Sequence, residues 1–200
     1  YKDLSPSVLE RAVFHADGCY FIENIEVNAA VCKTNIYSNT AFRGFGGPQG
    51  NMTTEMVLED VALFLKKDSQ QIRLLNLYGK DSRNTTHYGQ KVEHNLLPEI
   101  FQKISESSEY QKRRTEIAEW NQKKNGTLKG LAISGCKFGI AFNTRFLNQA
   151  NALVNIHRDG TIQVSTGATE MGQGVNTKIG QVVASAFGLP ASHVQMMATS

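Results

Sequence analysis

Two glycine-rich loops constrain this chain more than any other feature. The stretch "NTAFRGFGGPQGNM", residues 39–52, places four glycines, a proline and an arginine around Phe42 and Phe45. The stretch "GATEMGQG", residues 167–174, carries three glycines and an amide at Gln173. Both run from a strand-like segment toward a helix. Free backbone N–H groups and the positive end of a helix dipole meet there, which suits an anion such as phosphate. Glycine lets the backbone approach a ligand closely and adopt positive φ. Spacing alone leaves two readings open: a ligand cradle, or two tight turns with capping glycines.

The segments around the loops set the fold class. "SPSVLERAVFH" reads as a helix with Ser5 as N-cap, Pro6 at the first helical position and Val8, Leu9, Ala12 and Val13 on one side. "IEVNAAVCKTNIY", residues 25–37, is rich in β-branched residues and reads as a strand. After Pro48 a longer helix repeats Leu58, Val61, Ala62 and Leu65, and "DSQQIRLLNLY" opens a short one capped by Asp68 or Ser69. Pro98 starts a helical pair carrying Ile100, Phe101 and Ile104, then Tyr110, Ile117 and Trp120. From residue 129 the period changes. "LKGLAISGCKFGIAF" reads as a glycine-punctuated strand, and "ALVNIHRDGTIQVST" as a hairpin around Arg158-Asp159-Gly160. The last helix carries Val175, Ile179, Val182, Val183 and Ala186, and Gly188 and Pro190 terminate it. Helices and hairpins without strict βαβ alternation predict an α+β fold. Its expected parts are 1–80 with the first loop, 81–128 as a polar loop and exposed helical insertion, and 129–200 with the second loop.

Charge and cysteine usage exclude several classes. A net charge of +3 is too mild for nucleic acid or an anionic membrane surface. No apolar run approaches the roughly 20 residues needed to span a bilayer. Cys19, Cys32 and Cys136 are isolated, and the five histidines show no ligand spacing, so neither a disulfide framework nor a zinc site is expected. Reduced thiols predict a cytoplasmic protein. The nucleotide fingerprints also fail. Gly167 and Gly172 have the P-loop spacing, but Gln173 and Gly174 replace its Lys and Ser/Thr. Gln49 stands where a dinucleotide fingerprint needs its third glycine. An amide such as Gln173 both donates and accepts, which suits a pterin or flavin ring carrying phosphate.

Four stretches together, "LERAVFH", "CKTNIYSNTAFRGFGGPQG", "KFGIAFNTRFLNQANALV" and "DGTIQVSTGATEMGQGVNTKI", resemble the molybdenum-cofactor domain of the xanthine dehydrogenase/oxidase family of molybdenum hydroxylases. They occur in the family's order over most of the chain. The resemblance implies a molybdenum–molybdopterin cofactor held without a protein side chain as main metal ligand. It also implies hydroxylation of hypoxanthine and xanthine, and electron transfer through [2Fe–2S] clusters and FAD in other domains or subunits. Arg11 matches the arginine that binds a purine oxygen and stabilises developing negative charge. Phe45 and Phe142 match two phenylalanines that clamp a flat substrate. Asn143 follows Phe142 where xanthine-type members usually carry threonine. Phe42, Arg43 and Gly44 match the segment against the cofactor, with Arg43 near molybdenum but not a ligand. Met171, Gly172 and Gln173 match the loop donating to the pterin and its phosphate.

The family's general-base glutamate, in a G-E motif far downstream, has no counterpart here, and Glu10 and Glu170 do not occupy motif positions. The chain therefore reads as an internal fragment of the molybdenum-binding subunit, inactive and without bound cofactor when alone. The expected parent takes a purine substrate, assembles as a homo-oligomer or heteromer, and binds neither nucleic acid nor membrane. An aldehyde or another N-heterocycle as substrate is the nearest alternative; a non-catalytic phosphate-binding or structural module is the alternative of another class.

Overall fold

The computed structural model describes residues 3–123 and 126–197. It divides into two compact units, residues 1–143 and 144–200.

The first unit is built on helices. The first, α1 (Ser5–Phe14), has proline in its first turn as expected, although Leu4 rather than Ser5 takes the cap position. The second, α2 (Gly47–Leu65), begins directly after the first glycine loop. Asp68 caps α3 (Ser69–Asn76), its carboxylate accepting the Gln70 N–H at 2.8 Å. The pair α4 (Leu97–Ser107) and α5 (Tyr110–Gln122) follows a polar loop. The core packs Cys19, Tyr20, Leu58, Ala62, Ile72, Leu77 and Phe101, with Leu97 and Ile133 against it. Phe101, on the helical pair, is thus part of the main core. Asp68→Ala should remove about 1 kcal/mol of stability, read as a lower urea midpoint, because it leaves a first-turn N–H of α3 without its side-chain acceptor.

α1 and α2 touch backbone to backbone. A Cβ at Gly46 would lie 2.0 Å from the Val8 carbonyl oxygen, and one at Gly50 would lie 2.3 Å from that of Ala12. The buried stripe of α2 is Gly47, Gly50, Thr54, Leu58 and Ala62. Val61 and Leu65, expected on that stripe, are exposed at 38% and 49%. α2 is bound to α3 by Arg73, which reaches Glu55 at 2.7 Å and Glu59 at 3.1 Å.

Two expected strands are absent among the described residues. Residues 25–37 are largely exposed and form no ladder, with a bend at residues 35–36. A strand is fixed by a neighbour's N–H and C=O groups rather than by its own propensity, and this segment has no such neighbour. Residues 128–142 also carry no ladder, although burial alternates from Leu131 to Lys137 as in a half-covered strand. Side chains from the helices take its backbone groups instead. Trp120 donates to Thr127 O at 3.3 Å, Asn121 exchanges bonds with both backbone groups of Lys129, and Arg114 donates to Leu131 O at 3.2 Å.

In the second unit β1 (Ala152–Ile156) pairs antiparallel with β2 (Ile162–Thr166), Val154 opposite Val164, and the expected hairpin forms. Asp159 holds its turn by accepting from the Thr161 N–H and hydroxyl. α6 (Val175–Phe187) crosses over to β3 (Val194–Met196), which lies parallel to β2. The helix buries Gly180 and Ala184, not Val182, which is 69% exposed. Helices with a small mixed sheet make the α+β fold expected from the sequence.

Candidate functional site

Arg11 is the one buried residue of α1. Its apolar neighbours Val8, Leu9, Ala12 and Val13 are only half-buried. A guanidinium removed from water needs partners, because burying an unpaired charge is costly. Its Nη1 and Nη2 donate to the carbonyl oxygens of Gly139 and Ala141, while Nε–H has no protein partner. The Phe138 ring lies beneath it, 5.7 Å from Cζ. A Cβ at position 139 would stand 3.0 Å from Nη1, so glycine there permits the approach.

His15, one turn further, is 3% exposed. Its Nε2 accepts the Gly139 N–H at 3.1 Å and its Nδ1 lies 2.8 Å from Arg11 O. A ring nitrogen that accepts from an amide carries a lone pair, so Nδ1 bears the proton and donates to the carbonyl. Burial favours this neutral ring and holds the His15 pKa below its usual value of 6.5. Beyond it, Asp17 accepts from Lys137 Nζ and from the Tyr78 hydroxyl, each at 2.5 Å, with His87 Nδ1 at 3.7 Å.

The first glycine loop is a left-handed turn. Gly44, Phe45 and Gly46 have φ of +97°, +51° and +104°. Phe45 N–H donates to Phe42 O at 2.7 Å, and Gly47 N–H to Gly44 O at 2.9 Å. A phenylalanine at positive φ costs on the order of 1 kcal/mol, and such strain concentrates at functional sites. The turn brings Phe45 to Phe142, with ring centroids 5.6 Å apart at 56°. Both rings are half-buried, and Phe42 and Arg43 are exposed. Asn143 donates to Ser7 O at 3.0 Å and lies 3.4 Å from Glu10 Oε2, so its amide hydrogens are turned toward α1. Arg11, Phe45, Phe142 and Asn143 therefore belong to one assembly in the first unit.

The second loop lies in the other unit. Glu170 organises it: Oε1 accepts from Gly172 N at 2.8 Å and Gly174 N at 2.9 Å, and Oε2 from Asn176 N at 3.1 Å. These bonds hold the Glu170 pKa below the usual carboxylate value. Gln173 accepts the Met171 N–H at 2.5 Å and donates to Thr169 O at 2.8 Å. A carboxylate thus sits on three converging N–H groups at the start of α6. N–H groups arranged in this way at a helix start can donate to an anionic oxygen. Among the described residues, no cluster of His, Cys, Asp and Glu is arranged to hold a metal ion, and no helix is long and apolar enough to cross a membrane.

Sequence reasoning missed His15 and Asp17, and named Glu170 only to set it aside. The i, i+4 spacing of Arg11 and His15 was the available signal for the first. For Glu170, its place four and six residues before the N–H groups of a helix start was the signal.

Family models described as molybdopterin cofactor-binding domain match residues 1–77 and 103–200. A xanthine dehydrogenase of Drosophila pseudoobscura pseudoobscura is 44% identical over 99% of this chain. Xanthine dehydrogenase 1 of Arabidopsis thaliana is 45% identical over 99%, and the xanthine dehydrogenase/oxidase of Mus musculus 43% over 100%. The chain spans about 15% of the length of these relatives. Among solved structures, the aldehyde oxidoreductase of Desulfovibrio desulfuricans superposes on 98% of this chain, and the chain on 21% of it, with a TM-score of 0.68 at 21% identity. The quinoline 2-oxidoreductase of Pseudomonas putida covers 79%, with the chain matching 21% of it, at a TM-score of 0.56 and 23% identity. The chain belongs to the xanthine dehydrogenase/oxidase family and forms part of its molybdopterin cofactor-binding region.

Proposed function

We propose that this chain supplies the substrate wall and part of the cofactor cradle of a cytoplasmic molybdenum hydroxylase acting on xanthine and hypoxanthine. One observation carries the reading. A buried guanidinium and two facing phenylalanines are assembled by the same three segments, α1, the turn at residues 42–46 and the extended segment ending at Phe142. A flat ring is gripped by aromatic faces and edges. A fixed cation stabilises negative charge that develops on it, with no reorganisation at the moment of reaction. Purines offer both features, and the curated relatives are named xanthine dehydrogenases.

The molybdenum–molybdopterin group, when bound, supplies the two-electron oxidant. Met171, Gly172 and Gln173 would hold it in the second unit, where Glu170 and Gln173 now occupy the N–H groups that would have to be released to it. Arg11 orients the ring and offsets its charge; Phe45 and Phe142 fix its plane and exclude water. Asn143 borders the same wall, its amide donating to Ser7 O. The proton acceptor is no residue described here. Iron–sulfur and FAD domains or subunits would take up the electrons in the assembled enzyme.

The test is the full-length enzyme with its molybdenum and pterin content measured. Hydroxylation of xanthine well above that of aliphatic aldehydes is expected. A molybdenum-loaded enzyme that turns over aldehydes and leaves xanthine untouched refutes the purine reading, and a protein with neither molybdenum nor pterin refutes the whole assignment.

A further inference from the structure

α1 and the turn after it meet the segment 137–141 as an antiparallel zipper. Arg11 takes the carbonyls of Ala141 and Gly139, His15 takes the Gly139 N–H, and Asp17 takes Lys137 Nζ. Phe142 is the residue that follows. With no strand ladder on this segment, these side chains position Phe142 from its N-terminal side, as the Asn143 amide on Ser7 O does from the other. His15 has a special place, because its one ring joins the main chain of Arg11 to the main chain of Gly139. The guanidinium-bearing helix and the phenyl-bearing segment are tied together through it.

We infer that His15 is a positioning residue for the aromatic clamp, holding Phe142 opposite Phe45 and in register with Arg11. The inference rests on the purine-clamp reading above. His15 touches neither substrate nor cofactor in this role; it acts through the Gly139 amide. The ring works only with Nε2 unprotonated, since a proton there would face the Gly139 N–H. Phe138 packs on the same imidazole, centroids 4.9 Å apart, so the side chain has little room to find another partner.

Two polar variants separate positioning from general stability. Gln carries its amide one methylene further out than Asn, so His15→Gln presents an acceptor near the Nε2 position and His15→Asn does not. In the full-length, molybdenum-loaded enzyme, His15→Asn should raise KM for xanthine about tenfold, the size expected for one unsatisfied buried N–H. Its kcat should change much less, and His15→Gln should return KM to near the parent value. Hydrogen exchange at the Gly139 amide should be faster in the Asn variant and restored in the Gln variant. Equal KM values for both variants, or an Asn variant indistinguishable from the parent in KM and in exchange, overturn the inference. Failure of the parent enzyme to use xanthine refutes the purine reading instead; amide exchange that still separates Asn from Gln then leaves the His15 anchor standing.

Discussion

Arg11→Met in the full-length enzyme should lower kcat for xanthine by about 10²–10³-fold, the usual cost of removing a preorganised charge from a developing anion. Substrates oxidised without an anionic ring should lose far less. The structure adds a second, smaller effect that all flat substrates share. Arg11 holds Gly139 O and Ala141 O, so methionine also frees the segment leading to Phe142. Arg11→Lys keeps the charge but cannot span two carbonyls with a planar fork. It should therefore recover part of the xanthine rate while KM for flat rings stays raised. Steady-state kinetics on xanthine and on an aliphatic aldehyde, side by side, read both effects. Equal losses on both substrates with Met would refute the charge role.

Gly50→Ala should destabilise the first unit by at least about 3 kcal/mol, beyond the usual cost of an extra methylene in a core. Its new Cβ would lie 2.3 Å from the Ala12 carbonyl oxygen and 2.9 Å from the His15 carbonyl carbon, both main-chain atoms that no rotamer change can move. Two helices must part to admit one methyl group. Gly130→Ala is the matched control, since nothing lies within 4 Å of a Cβ there. It should stay within about 0.5 kcal/mol of the parent. Urea unfolding followed by far-ultraviolet circular dichroism measures both. A Gly50 variant as stable as the Gly130 control would show that the helices tolerate separation.

Helices were legible in the sequence because their signals are local. The Asp68 cap, the prolines opening α1, α2 and α4, and Gly188 closing α6 act within one turn of where they stand. The Asp159-Gly160 hairpin is legible for the same reason. Residues 25–37 and 128–142 misled because composition reports strand propensity but not the partner that makes a strand. At 127–142 the partners are Trp120, Asn121, Arg114, Arg11 and His15, side chains whose assignment no periodicity encodes. The family motifs singled out Arg11, Phe45 and Phe142, and the structure shows these three arising from neighbouring segments of one unit. They did not single out the residues that hold them. Glu170 was set aside because it matched no catalytic position, yet it organises the second loop by accepting three backbone hydrogens.

The main-chain contact between α1 and α2 works as a spacer of fixed length. Side-chain packing yields to temperature, to rotamer exchange and to substitution, whereas two backbones in contact have nothing between them to yield. Arg11 rides on one helix, and the turn bearing Phe45 feeds directly into the other. The distance from charge to ring is thereby written into peptide geometry. Exposed residues of either helix can change freely while that distance stays the same.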